Sequence, residues 1–128
     1  MRILSFTLDR NLIETVSEVS EQLGLAFTFV DKKISDINII LEINKIKPHA
    51  LIIDDEYFLP NTVAMIDTVR QFSDDSYIIF VTENQSVELG RELNPYRIHS
   101  YHIKPIDKTF LIQSLESIKT YLEKKSIL

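Results

Sequence analysis

Short, continuously apolar runs alternate along this chain with longer stretches in which apolar residues recur every three or four positions. The runs Arg2–Leu8 (RILSFTL), Leu25–Val30 (LAFTFV), Ala50–Asp54 (ALIID), Tyr77–Thr82 (YIIFVT) and His99–Ile103 read as five strands. Between them the helical period takes over. Asn11–Leu23 carries apolar residues at 12, 13, 16, 19 and 23, with Gly24 placed to end the helix. Ile34–Lys47 offers Ile37, Ile40 and Leu41 and stops before Pro48. Asn61–Phe72 aligns Val63, Ile66, Val69 and Phe72, and Ser86–Leu93 carries a weaker stripe of Val87, Leu89 and Leu93. Asp107 caps a last helix whose core face is Leu111, Leu115, Ile118 and Leu122. The third and fourth strands are apolar until their final residue, as expected of strands buried on both faces. Five strands alternating with five helices predict one α/β domain over residues 1–128, a doubly wound parallel sheet with right-handed crossovers.

Composition narrows the function classes. With 128 residues, 45% hydrophobic and 26% charged, the chain is long enough to bury a core and is not of disordered type. A net charge of −5 gives no electrostatic footprint for a phosphate backbone, so direct nucleic-acid binding is not expected. Cysteine is absent, which removes disulfides, thiolate metal sites and thiol nucleophiles. The longest apolar run, Tyr77 to Val81, is far below a membrane span, and the stretch after Met1 lacks signal-peptide features. A cytoplasmic protein is expected. Gly24 and Gly90 are the only glycines, so there is no glycine-rich phosphate loop, and no GxSxG nucleophile motif occurs. An enzyme is not expected. His49, His99 and His102 lack metal-ligand spacing, while Phe27 and Phe29 share one strand face and are expected in the core.

The candidate chemistry sits at strand ends. Asp54 closes the third strand, Thr82 the fourth, and Lys104 follows the fifth, 50 and 22 residues after them respectively. In a parallel sheet these ends share one rim, where open α/β proteins place their sites. A carboxylate, a hydroxyl and an ammonium would converge there. Taken alone, each has a plainer reading: a loop-capping aspartate, a strand-end threonine, a surface lysine before a proline.

Together these residues resemble the receiver domain of bacterial response regulators, a family with the fold of the chemotaxis regulator. The resemblance runs over the whole chain and implies a flavodoxin-like (βα)5 sheet in strand order 2-1-3-4-5. It matches Asp54, six residues after Pro48, to the phosphoacceptor aspartate, and Thr82 to the hydroxyl that binds the phosphoryl group. Tyr101 matches the aromatic that turns inward on activation, and Lys104 the lysine that pairs with phosphoryl oxygens. Pro105 matches the proline that follows it through a cis peptide bond. The wording IIFVTENQ and SYHIKPID is most similar to the LytR/AlgR class.

The chain departs from the family's pattern at three places. The acidic pair that closes the first strand and holds Mg²⁺ is replaced by Thr7-Leu8. Asp9 comes next in sequence, and would need a local rearrangement to point into the site. The small residue expected after the switch threonine is Glu83, and the proline expected four residues after the acceptor is Phe58, with Pro60 two later. Asp54, Asp9 and Asp55 are the carboxylates left to hold Mg²⁺, and weak binding is expected. The leading expectation is a receiver-like signalling module that works through protein–protein contact, with phosphorylation weakened or lost. The alternative is a competent receiver taking a phosphoryl group on Asp54 from a histidine kinase. The resemblance also implies a histidine kinase or other signalling protein as partner. It further implies a homodimer through the face of the fourth helix, fifth strand and fifth helix, and an output domain downstream in a longer parent.

Overall fold

A computed structural model describes residues 1–127. Its strands are β1 (Arg2–Phe6), β2 (Ala26–Val30), β3 (Ala50–Asp54), β4 (Tyr77–Thr82) and β5 (Ile98–Ile103). The helices are α1 (Arg10–Leu23), α2 (Asp36–Ile46), the single turn α3 (Asp55–Phe58), α4 (Thr62–Phe72), α5 (Val87–Leu93) and α6 (Lys108–Lys124), with a 3₁₀ turn at Asn94–Tyr96. All strand pairs are parallel, in the order β2-β1-β3-β4-β5. This is the flavodoxin-like order that the resemblance to receiver domains implied.

Side chains alternate across a strand with period two, so each interior strand feeds two cores. Leu4, Phe6, Leu51, Ile53, Ile78 and Phe80 face α2 and α4, where Ile39, Ile43, Met65, Ile66 and Val69 close over them. Ile3, Ala50, Ile52, Ile79 and Val81 face α1 and α6 and meet Val16, Val19, Leu111, Leu115, Ile118 and Leu122. Gly24, at φ 70, ends α1 in the left-handed conformation that glycine adopts without a Cβ penalty.

Several expectations change. In α2 the buried residues are Ile39 and Ile43, while Ile37 is 73% and Leu41 56% exposed. Five aliphatic residues between 37 and 43 fit two helix faces equally well, and only contact with the sheet selects one. Phe72 and Val87 also turn outward. Phe29, expected in the core, is partly exposed because β2 is an edge strand, while Phe27 packs against the α1 side. The first strand ends at Phe6 rather than Leu8, and the loop after Asp54 contains α3. That turn buries Tyr57 and Phe58 against Phe6.

Candidate functional site

The strand ends of β1, β3 and β4, with the β5–α6 loop, converge around Asp54. Its carboxylate is 1% exposed and accepts three hydrogen bonds. Oδ2 takes the Thr7 hydroxyl at 2.5 Å and the Lys104 ammonium at 2.9 Å, and Oδ1 takes the Glu56 amide at 3.2 Å. Thr7 is itself fixed: its amide donates to Val30 O, and its hydroxyl accepts from the Asp9 amide.

Lys104 lies at the centre of a charge cluster. Its Nζ is 2.9 Å from Asp54, 3.1 Å from Asp9 and 3.4 Å from Glu56, and its side chain is 8% exposed. An ammonium has three protons, and here three carboxylates surround it. Burial alone would lower the Lys104 pKa, but hydrogen bonds and charge from Asp54 and Asp9 outweigh it and hold the pKa above the usual lysine value. Partial burial likewise pushes the Asp9 carboxyl up, and Lys104 together with the Leu12 and Asn11 amides brings it below the usual aspartate value.

Asp9 therefore reaches the site in place, contrary to the rearrangement expected from its position. It is the N-cap of α1, with Oδ1 accepting from the Asn11 and Leu12 amides, and this capping turn aims Oδ2 at Lys104. Leu8 is 53% exposed and contributes nothing polar. Glu83 lines an open groove of about 690 Å³ with Asp9, Glu14, Glu18 and Lys104.

Thr82 does not meet Asp54. Alternation explains this: Asp54 continues the Ala50–Ile52 row toward α1, whereas Thr82 continues the Ile78–Phe80 row toward α4. The Thr82 hydroxyl donates instead to Asp55 Oδ2 at 2.9 Å, and Asp55 Oδ1 accepts the Thr62 hydroxyl at 2.6 Å. Asp55 is buried at 6% exposure. Its pairing could have been read by counting alternate positions through both strands to their ends. The parts played by Thr7, Glu56 and Thr62 carried no comparable signal.

Tyr101 is 40% exposed, its ring edge-on to Phe80 at 6.1 Å, and burial of its other side raises the phenol pKa. The Lys104–Pro105 peptide bond is cis, as is Leu59–Pro60.

These residues do not fit a Mg²⁺ site. Where the resemblance requires two acids, Thr7 offers a hydroxyl already donating to Asp54 and Leu8 an alkyl chain. The Lys104 ammonium stands among the carboxylates that a divalent cation would need. Asp55 is turned to the two threonine hydroxyls. Among the described residues no group of three or more His, Asp or Glu is arranged to hold a metal ion.

No family model and no curated protein matches this chain. Solved structures do. The N-terminal domain of an uncharacterized protein from Wolinella succinogenes aligns over 98% of both chains at 17% identity, TM-score 0.81. A response regulator from Thermotoga maritima aligns over 91% of this chain and 95% of its own, at 13% identity and TM-score 0.78. The chemotaxis protein CheY4 of Vibrio cholerae aligns over 91% and 97%, at 15% identity and TM-score 0.75. At such identities the likeness defines the fold: the flavodoxin-like arrangement of receiver domains. No helix among the described residues is long and apolar enough to cross a membrane.

Proposed function

We propose that this chain is a receiver-like signalling module that acts by presenting its surface to a partner protein, with phosphoryl transfer to Asp54 weakened or lost. The observation that carries this reading is the placement of Lys104. Its ammonium answers Asp54, Asp9 and Glu56 together, while Thr7 and Leu8 stand where the resemblance puts the acids that would hold a divalent cation for phosphoryl transfer. Three carboxylates share this one cation, so the edge remains negative and repels an anionic phosphodonor. The Asp54 oxygen nearest Lys104 is also occupied by Thr7, which lowers its availability as a nucleophile. No turnover of substrate belongs to this reading.

Its signalling surface is the face of α5, β5 and α6, where Val87, Tyr101, Ile103 and Phe110 are exposed. That face would carry self-association or a signalling protein such as a histidine kinase, and an output domain in a longer parent would read it. The LytR/AlgR likeness is a refinement of the same proposal. Native mass spectrometry before and after incubation with Mg²⁺ and a small phosphodonor tests it. The expected spectrum keeps the unmodified mass and the same dimer fraction. A stoichiometric phosphoryl adduct supports the alternative, a competent receiver using Asp54, and a strictly monomeric spectrum at high concentration removes the proposed dimer.

A further inference from the structure

Asp55 has no role in the site around Lys104, yet it is the buried partner of Thr82. Its carboxylate bridges the start of α4, through the Thr62 hydroxyl at 2.6 Å, and the end of β4, through the Thr82 hydroxyl at 2.9 Å. All three residues are buried, at 6%, 3% and 2% exposure. A bond from a hydroxyl to a carboxylate shielded from water is stronger than its exposed counterpart.

The chain of contacts continues outward from Thr82. Its oxygen accepts the Asn84 amide at 2.9 Å, and Asn84 Oδ1 accepts the Ser86 amide at 2.9 Å. Ser86 is the N-cap of α5, its hydroxyl accepting from Leu89 at 3.3 Å. Three links therefore run from a buried carboxylate to the cap of α5, and a fourth joins the cap to Leu89. The helix is seven residues long and only Leu93 among them is fully buried, so packing alone holds it weakly. Along its inner side a cleft of about 250 Å³ separates it from β5, lined by Phe80, Leu89, Gly90, Tyr101 and Ile103.

We propose that Asp55 is a positioning residue that latches Thr82 and thereby sets the β4–α5 loop and the α5–β5 surface. The latch supplies Thr82 with an anionic oxygen from within the chain, so this surface takes its form with no added phosphoryl group. The inference rests on the reading above only for the use of that surface. The latch stands or falls whether or not Asp54 accepts phosphate.

Residue-resolved hydrogen exchange, run on the full chain without phosphodonor, tests it. Asp55→Ala and Thr82→Val remove the same link from its two ends. Both are expected to accelerate exchange at Ser86, Leu89 and Gly90 by about tenfold, the equivalent of one lost hydrogen bond, and to shift Tyr101 resonances. Amides of α1 and β2 should change much less. Thr82→Ser keeps the hydroxyl and is expected to restore protection, as is Asp55→Asn, whose amide oxygen can still accept from Thr82. Unchanged exchange at Ser86, Leu89 and Gly90 in either removal variant overturns the latch. So does acceleration spread equally over α1 and β2, or failure of Thr82→Ser to restore protection. A phosphoryl adduct in the mass experiment with the latch intact would overturn the weakened-phosphorylation reading alone.

Discussion

Lys104→Met is expected to destabilise the domain by about 3–5 kcal/mol, the cost typical of removing one partner from a buried ion pair. The substitution keeps much of the side chain's apolar volume and deletes only the charge. Asp54, 1% exposed, then holds a negative charge with only the Thr7 hydroxyl and the Glu56 amide to answer it. Asp9 and Glu56 lose the same countercharge and repel Asp54 across a gap the ammonium had filled. A lysine on the surface of an acidic protein would give a much smaller loss, since exposed pairs contribute about 0–1 kcal/mol. Urea unfolding of Lys104→Met, Asp54→Asn and the double variant separates the two cases. The double variant should recover most of the loss, because no unpaired buried charge remains. A loss below about 1 kcal/mol in the single variant would mean that Lys104 is a solvated surface charge.

Acidification should weaken the fold through His102, the other large expected effect. This side chain is 1% exposed on the α6 side of β5, its ring stacked on Phe110 with centroids 4.1 Å apart. Nε2 lies 3.0 Å from Ser100 Oγ and 3.1 Å from Ser114 Oγ, while Nδ1 is buried with no hydrogen-bond partner among the described residues. Burial pushes its pKa from 6.5 down to about 4, against the raising influence of Asp107, with His99 adding to the decrease. Above pH 6.5 both folded and unfolded states hold a neutral ring, so the stability is fully present. As pH falls through 6.5 the unfolded chain takes up a proton that the folded protein refuses until about 4, and stability falls across that window. A shift of this size corresponds to at most about 3 kcal/mol. His49 and His99 are lowered as well, mainly by burial, and act in the same direction. His102→Gln keeps a polar group beside the two serines and removes the titration. Its unfolding free energy should depend less steeply on pH between 4 and 6.5 than that of the unaltered protein, and equal slopes would rule out His102 as the source.

The strands that were easiest to read are those buried on both faces. In β3 and β4 an unbroken apolar run ends in one polar residue, and that residue marks the rim of the candidate site. α6 was equally legible, because Leu111, Leu115, Ile118 and Leu122 form one continuous stripe, and all four are buried. α2 was not, since its aliphatic residues surround most of the helix and the sheet decides which are covered. α3 left no periodic trace in a turn of four residues.

At the site, spacing brought Asp54 and Lys104 to one rim, and their side chains meet at 2.9 Å. The partner of each remaining group depended on directions that a list of strand ends does not contain. Thr82 points to the opposite face from Asp54 and finds Asp55. Asp9 depends on a capping turn that begins only because the first strand stops at Phe6. Glu56 reaches Lys104 through the unanticipated turn α3.

On the proposed reading the Lys104 ammonium is the cation of this site, and Thr7-Leu8 leaves it without the acids that would hold a metal. Calorimetric titration with Mg²⁺ tests this, carried out on the unaltered protein and on the variant Thr7→Asp/Leu8→Asp/Glu83→Ala. The unaltered protein should show no saturable heat at millimolar Mg²⁺, whereas the variant, with carboxylates supplied at the end of β1, should gain a saturable site. Saturable millimolar binding by the unaltered protein, lost on Asp54→Asn, would contradict the account.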